Sequence, residues 1–458
     1  MRHGIPGWCL GLATGLAGGL LAPDGAAAAP PAPPARPNLI LVTLDTTRAD
    51  HLGAYGYGRP TSPAIDRLAA DAVLYTNATT TSTWTLPSHA SLFTGRFPKS
   101  HGARLDRQGR LSLAQAVSGP AAIVGLRARP LTADQPTLAG ILRDAGYATA
   151  AVVGGPWMKR LFGLGAGFQH YDDAEITEVA GRLARQVTDA AIAWLDGHAG
   201  ERFFLFLNYY DPHGPYSDPD WLAQEFLPPG QYVFPEPENP SLEYVRATYD
   251  GEIRYMDQHL GRLLDHLRAR GLYDAAWIVV TADHGELLGE EGRRGHGLSL
   301  YQGELRIPLL VKPPRGSAPP GREDQRIQLT DLLPMLLARL GLPPPPGVQG
   351  RAEPEERPPT FAEVSPLATA LSGWRAWFGG PFKLLWSSRG EHELYQVAAD
   401  PEETRDLAGK EATRLGALVA ELEAFYAALP EPAPQGPGEE LQVDEQTRRT
   451  LEALGYLE

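Results

Sequence analysis

The sequence predicts an α/β fold, a mostly parallel sheet flanked by helices, with a small C-terminal α+β subdomain. Three observations predict it. Asn38 to Leu44 form a continuous apolar run rich in branched residues, the pattern of a strand buried on both faces. Four later stretches each pass from helical spacing into a short apolar run, and such alternation builds parallel sheets covered on both sides. Beyond about Leu342 the texture changes to a Pro-rich linker and then to short strands joined by turns.

Taken in order, the chain opens with a positive Arg2, an apolar run from Trp8 to Leu21 and small residues at Ala26–Ala29. This is the layout of a secretory signal peptide over 1–29, followed by a Pro-rich linker over 30–37. Export to the periplasm or the medium is therefore expected. An uncleaved anchor is the competing reading, and the run is short for a span. The main domain is expected over 38–342. Its first strand ends at Asp45, and "SPAIDRLAADAVLYTNAT" reads as helix then strand. "QPTLAGILRDAGYATAAVVGG", "VTDAAIAWLDGH…RFFLFLNYY" and "EIRYMDQHLGRLLDHLRARGLYDAAWIVVTADHGE" repeat the arrangement. The subdomain is expected over 343–428, and a Pro-rich tail with a short helix over 429–458. No Gly-rich phosphate loop of the P-loop or dinucleotide type occurs.

Composition narrows the partners. Forty-one Lys and Arg against 55 Asp and Glu give a net charge of −14 with no basic stripe, so a nucleic-acid partner is not expected. The single cysteine, Cys9, lies inside the leader, which leaves the mature chain without a thiol, a disulfide or a Cys-based metal site. No second apolar run is long enough to span a membrane, and the sequence leaves the oligomeric state unknown.

Ligands of open α/β sheets bind outside the carboxyl ends of the strands. Three candidate groups fall there: Asp45, the pair Asp283-His284 before Gly285, and Asp211 with His213. Carboxylates and an imidazole converging on one edge suit a hard or borderline divalent metal, although a lone strand-end Asp is also a common turn cap. Thr85, in "TSTWTLPSHASLFTG", precedes a short helix whose free amides and positive dipole end would face it. It is either a nucleophile activated by a metal or a capping threonine. His213, between Pro212 and Gly214, and His296, between Gly295 and Gly297, are placed in loops, where they could hold an anionic ester or protonate its leaving group. His51, His101, Lys99 and Arg48 are supporting candidates, and His259 and His266 read as packing or surface groups on the long helix.

With "PNLILVTLDTTRADHLGAYGY", "LPSHASLFTGRFPKSHG", "DPHGPY", "VTADHGELLGE", "GHGLSLYQGELRIPLLV" and "ELYQVAADPEETRDLAG" in this order, the chain resembles the sulfatase family of the alkaline phosphatase superfamily. The resemblance implies an alkaline-phosphatase/sulfatase-like fold and a hydrolase of sulfate or phosphate/phosphonate esters. Family sulfatases oxidise the Cys or Ser of a Cys/Ser-x-Pro-x-Arg signature to formylglycine. Here that signature reads Thr85-Leu86-Pro87-Ser88-His89, so no formylglycine is expected. The usual pair of aspartates after the first strand is Asp45-Thr46, the usual Asp-Asn-Gly is Asp283-His284-Gly285, and His296 replaces a lysine.

These departures resemble related phosphonate and phosphate ester hydrolases, and phosphoglycerol or phosphoethanolamine transferases, which use an unmodified Thr. They imply one divalent metal (Ca, Mn or Zn) held by Asp45, Asp283 and His284, with Thr85 as fourth ligand and nucleophile. His213 and His296 would act on the leaving group. His89, His213, His296 and Lys99 are expected to contact a small anionic ester substrate. A cell-envelope phospho-substituent transferase and a non-catalytic metal-binding member of the fold are the alternatives.

Overall fold

The computed structural model describes residues 36–198, 200–216, 220–233, 237, 239–352, 360–366 and 372–433. The expected leader with Cys9, most of the linker, and residues 434–458 of the expected tail lie outside the described residues. Among the described residues no helix is long and apolar enough to cross a membrane.

The apolar runs assemble into one nine-stranded sheet. In chain order its strands are Asn38–Leu44 (β1), Val73–Thr79 (β2), Ala148–Val153 (β3), His170–Asp172 (β4), Phe203–Tyr209 (β5), Ala276–Thr281 (β6), Arg306–Ile307 (β7), Leu309–Lys312 (β8) and Gly321–Gln328 (β9). The order β4-β3-β5-β1-β6 is parallel throughout. The antiparallel β8 joins β6 to β2, and β9 adds on the far side of β2.

Side chains on β1 alternate between two cores, because successive residues of a strand point to opposite faces. Leu39 and Leu41 join a cluster completed by helices Thr85–Thr94, Leu138–Asp144 and Leu329–Arg339. Ile40, Val42 and Leu44 join a second cluster, completed by Pro63–Ala69, Ala184–His198 and the 28-residue Leu242–Ala269. The sheet is thus covered on both faces, which is why its strands read as unbroken apolar runs rather than as alternating ones.

The C-terminal part is a four-stranded antiparallel sheet, Thr360–Val364, Trp374–Gly379, Phe382–Ser387 and Glu393–Tyr395, with the helix Ala412–Ala428. Phe361, Trp377, Leu384, Leu394, Leu418 and Leu422 form its core, and Phe97 of the main part packs into it.

His101 belongs to this framework. The amide of Ala103 donates to its Nδ1 at 3.1 Å, so the Nε2 proton points to Ser91 Oγ, also at 3.1 Å. Burial pushes this imidazole down to about 3. The unfolded chain binds that proton below about pH 6.5, so between the two values the unfolded state holds more protons and stability falls as pH falls. A His101→Gln variant should lose about 2 kcal/mol less stability than the wild type between about pH 6 and pH 4. Denaturant titrations at the two pH values check it.

Candidate active site

Strand register brings the two aspartates together. Thr43 of β1 pairs with Thr281 of the adjacent parallel β6, and Asp45 and Asp283 each lie two residues further on. His284 follows on the same turn. Single atoms of Asp45, Asp283 and His284 lie within 4.8 Å of one another, and all three residues are buried.

Each neighbouring hydrogen bond leaves one atom of this trio facing its partners. Asp283 Oδ1 accepts from the amides of Thr46 (3.2 Å) and His284 (2.9 Å). Asn208 Oδ1 accepts from the amides of Gly154 and Gly155, which turns its Nδ2 toward Asp45 Oδ2 at 3.4 Å. The Gly285 carbonyl can only accept, so His284 Nδ1 carries the proton at 2.9 Å and Nε2 keeps a lone pair. What remains is Asp45 Oδ1, Asp283 Oδ2 and His284 Nε2, all buried and none with a hydrogen-bond partner. Burial, and next the Asp283 carboxylate, push the Asp45 carboxyl well above its usual range. Three converging lone-pair donors in a buried site are costly unless a cation sits among them. The donor set therefore fits one divalent metal with mixed oxygen and nitrogen ligands.

The turn carrying Asp45 is itself braced. Thr46 adopts φ +51°, unusual for a β-branched residue. Tyr249 of the long helix holds it by donating to the Thr46 carbonyl at 2.7 Å and accepting from the Arg48 amide at 2.9 Å. Arg48 extends from there to Asp50, Glu290 and the Glu286 carbonyl, away from the trio. His51 is paired with Asp250 at 2.7 Å.

Thr85 is the first residue of its helix, preceded by Trp84 at the cap, and no side-chain capping bond forms there. The capping role that the sequence left open for Thr85 is thus not used. His89, one turn on, ties this helix to the trio. Its Nδ1 donates to the Thr85 carbonyl at 2.8 Å and lies 3.7 Å from Asp283 Oδ2, while Nε2 meets Thr43 Oγ1 at 2.9 Å. Both ring nitrogens are committed to the chain and the residue is fully buried. His89, expected to contact substrate, here braces the residues beneath Thr85. Desolvation drives its pKa down, opposed by Asp283.

His213 and His296 are brought to the same place. The His284 and His296 ring centroids are 4.5 Å apart, those of His296 and His213 are 4.9 Å apart, and Trp84 packs edge-on to His296 at 5.4 Å. His296 Nδ1 lies 3.0 Å from Glu286 Oε1, and His213 Nδ1 donates to the Gly214 carbonyl at 2.6 Å. Burial holds His213 down at about 3 and His296 at about 4, while it lifts Glu286 to about 7. With His213 Nδ1 donating to a carbonyl and burial holding both imidazoles down, the two rings stand as neutral groups before any anion arrives.

Two candidates go elsewhere. Lys99 Nζ donates to the Tyr426 carbonyl at 2.7 Å, pairs with Glu431 at 3.4 Å, and lines a cleft with Arg104, Glu363 and Tyr426 that holds none of the trio. Lys99, expected to contact substrate, here bonds to the C-terminal subdomain. Asp211 Oδ2 accepts from the Ala184 amide at 2.8 Å at the start of Ala184–His198, so it acts as a helix cap and not as a ligand. The sequence reading missed Asn208, Glu286 and Tyr249. Of these only Asn208 carried a signal, a lone amide inside the apolar run "FFLFLNYY".

Comparison with known proteins agrees with this fold. The family model described as Sulfatase matches residues 37–342. The chain is 24% identical over 439 residues to the "Uncharacterized sulfatase YidJ" of Escherichia coli, covering 81% of this chain and 83% of that one. It is 28% identical over 398 residues to the "Multifunctional alkaline phosphatase superfamily protein PehA" of Trinickia caryophylli, covering 69% and 76%. The solved phosphonate monoester hydrolase from Silicibacter pomeroyi shares the fold with a TM-score of 0.67 at 22% identity, over 86% of this chain and 96% of that one. With the family model spanning most of the chain and a mostly parallel sheet carrying acids at its strand ends, this protein belongs to the sulfatase family and is an ester hydrolase.

Proposed function

We propose that the chain hydrolyses small anionic esters, sulfate or phosphate/phosphonate, with the unmodified Thr85 hydroxyl as nucleophile beside a single divalent metal. The carrying observation is the convergence of unpartnered Asp45 Oδ1, Asp283 Oδ2 and His284 Nε2 next to the helix that Thr85 begins. One relative is named a sulfatase, another an alkaline phosphatase superfamily protein, and a solved neighbour of the same fold a phosphonate monoester hydrolase, which supports keeping both ester classes.

Asp45, Asp283 and His284 would hold the metal. When bound, it would offset their charge and supply Lewis-acid stabilisation of an anionic ester and of a deprotonated Thr85. One imidazole among the donors suits Mn or Zn better than Ca. As Thr85 Oγ forms its bond to sulfur or phosphorus, its hydroxyl proton passes to the neutral His213–His296 pair and the bond to the leaving oxygen breaks. The pair hands that proton on to the leaving oxygen. Water then attacks the Thr85 ester, its proton passes through the same pair to Thr85 Oγ, and the product anion departs with Thr85 restored. His89, acting through the Thr85 carbonyl, is a positioning residue. The Arg2–Leu21 leader supports export.

A turnover panel of aryl sulfate, phosphate monoester, phosphate diester and phosphonate monoester, each with Mn, Zn or Ca, tests the reading. Turnover of at least one class, lost on chelation and restored by one metal, is the expected outcome. Metal-independent turnover, or stoichiometric metal with no turnover of any ester, contradicts it.

A further inference from the structure

The motif "ADPEETRDLAG" lies in the C-terminal subdomain, outside the proposed chemistry. Its Asp400 organises a turn, accepting from the amides of Thr404 (3.2 Å) and Arg405 (2.9 Å). Asp406 and Leu407 fasten that turn to Leu394. The turn places Glu403 at φ +56°, a strained conformation for a residue with a side chain, and buries it to 3% exposure. Buried Glu403 has two partners from different parts of the fold. Oε1 accepts from Lys383 Nζ at 2.6 Å, the lysine being fully buried, and Oε2 accepts from the Gln302 amide at 2.6 Å.

Gln302 belongs to the loop that begins with His296. Tyr301, beside it, donates to Glu393 of the subdomain at 2.9 Å. Glu304 closes the loop on itself through the Gly297 amide at 2.8 Å and the Ser299 hydroxyl. From the other side, Thr83 Oγ1 donates to the Ser299 carbonyl and Trp84 Nε1 to the Gly297 carbonyl, both at 3.1 Å. Gly297 has φ +83°, and an added Cβ would lie 2.2 Å from the Trp84 ring. The loop is thus wedged between the residues just before Thr85 and the subdomain, with His296 at its near end.

We propose that Glu403, charged and aimed by Lys383, is a positioning residue that clamps the 296–304 loop and so sets where His296 stands relative to Thr85. This rests on the reading of His296 as part of the leaving-group machinery. A buried ion pair is a poor source of stability but an effective fixer of geometry, because a displaced charge in such a place has no alternative partner. A small misplacement of a catalytic group can cost about 100-fold in rate.

The test uses Glu403→Gln, the double variant Lys383→Met/Glu403→Gln, which removes both buried charges together, and His296→Ala as reference. Hydrogen exchange across 296–304 is measured with kcat and KM on aryl esters of graded leaving-group basicity, at matched metal content and thermal midpoint. The expected result is faster exchange in that loop, an unchanged exchange pattern in β1 and β6, and a fall in kcat of about tenfold to 100-fold. That fall should grow with the basicity of the leaving group, with KM little changed. Unchanged loop exchange in both variants overturns the clamp. Faster exchange with full turnover, where His296→Ala is impaired, overturns its positioning role. A uniform loss across all leaving groups that tracks the folded fraction also overturns it, since that is what a merely stabilising pair gives. If His296→Ala is itself fully active, the reading of His296 fails and the proposal falls with it, an outcome separable from a clamp that does not hold.

Discussion

Replacing Thr85 by Ala should lower kcat by about 10⁴-fold or more on every ester the enzyme turns over, the scale seen when a covalent nucleophile is removed. The fold should survive. Thr85 makes no capping bond whose loss would unravel its helix, and Leu86, Ala90 and Phe93 still bury the same face. Metal content should fall only modestly, because Asp45, Asp283 and His284 remain. Thr85→Ser, which keeps the hydroxyl, should restore a measurable part of the rate, and Thr85→Val, of nearly the same shape, none. Steady-state kinetics on metal-matched protein checks all three. Full activity in Thr85→Ala removes the nucleophile assignment whatever the metal does.

The second large effect has two signs. Asp45→Asn should weaken metal binding by about 100-fold or more, since one of two anionic ligands is gone. In metal-free protein the same change should raise the thermal midpoint by a few degrees. The Asp45 and Asp283 carboxylates face each other in a buried space, and burial with this repulsion already lifts the Asp45 pKa. Removing one charge relieves that cost, while Asn keeps the size. In the metal-loaded protein the order should reverse, because bound metal stabilises the folded wild type by mass action. Melting curves of both proteins, with and without excess metal, check the crossover. An Asp45→Asn protein less stable than the wild type in chelator contradicts the assignment of a charge-congested metal site.

Much of this was legible in the sequence, for reasons that specific residues make plain. Asp45 and Asp283-His284 could be found because unbroken apolar runs betray buried parallel strands, and ligands gather where such strands end. That they meet each other depended on β1 and β6 being neighbours, which follows from strand order and not from local pattern. The bonds of His89 and Lys99 were not legible for a related reason. Spacing places a side chain on an element but does not say what its polar atoms bond to. His89 turns out to spend both nitrogens on Thr85 and Thr43, and Lys99 caps a subdomain contact. Asp211 illustrates the ordinary fate of a strand-end acid, a helix cap 27 residues away in sequence. Glu403 was unreadable as a partner, since it acquires its role only when distant segments bring Lys383 and the Gln302 amide to it, while Glu286 meets His296 across a short hairpin that no local pattern announces.

The most direct measurement is rapid acid quench of the metal-loaded enzyme turning over an activated ester, followed by peptide mass analysis of the segment containing Thr85. A sulfo or phospho group on Thr85, appearing before the steady state and absent from Thr85→Ala, is the predicted result. Turnover with unmodified Thr85 at every quench time, or the adduct on another residue, contradicts an unmodified threonine as the nucleophile.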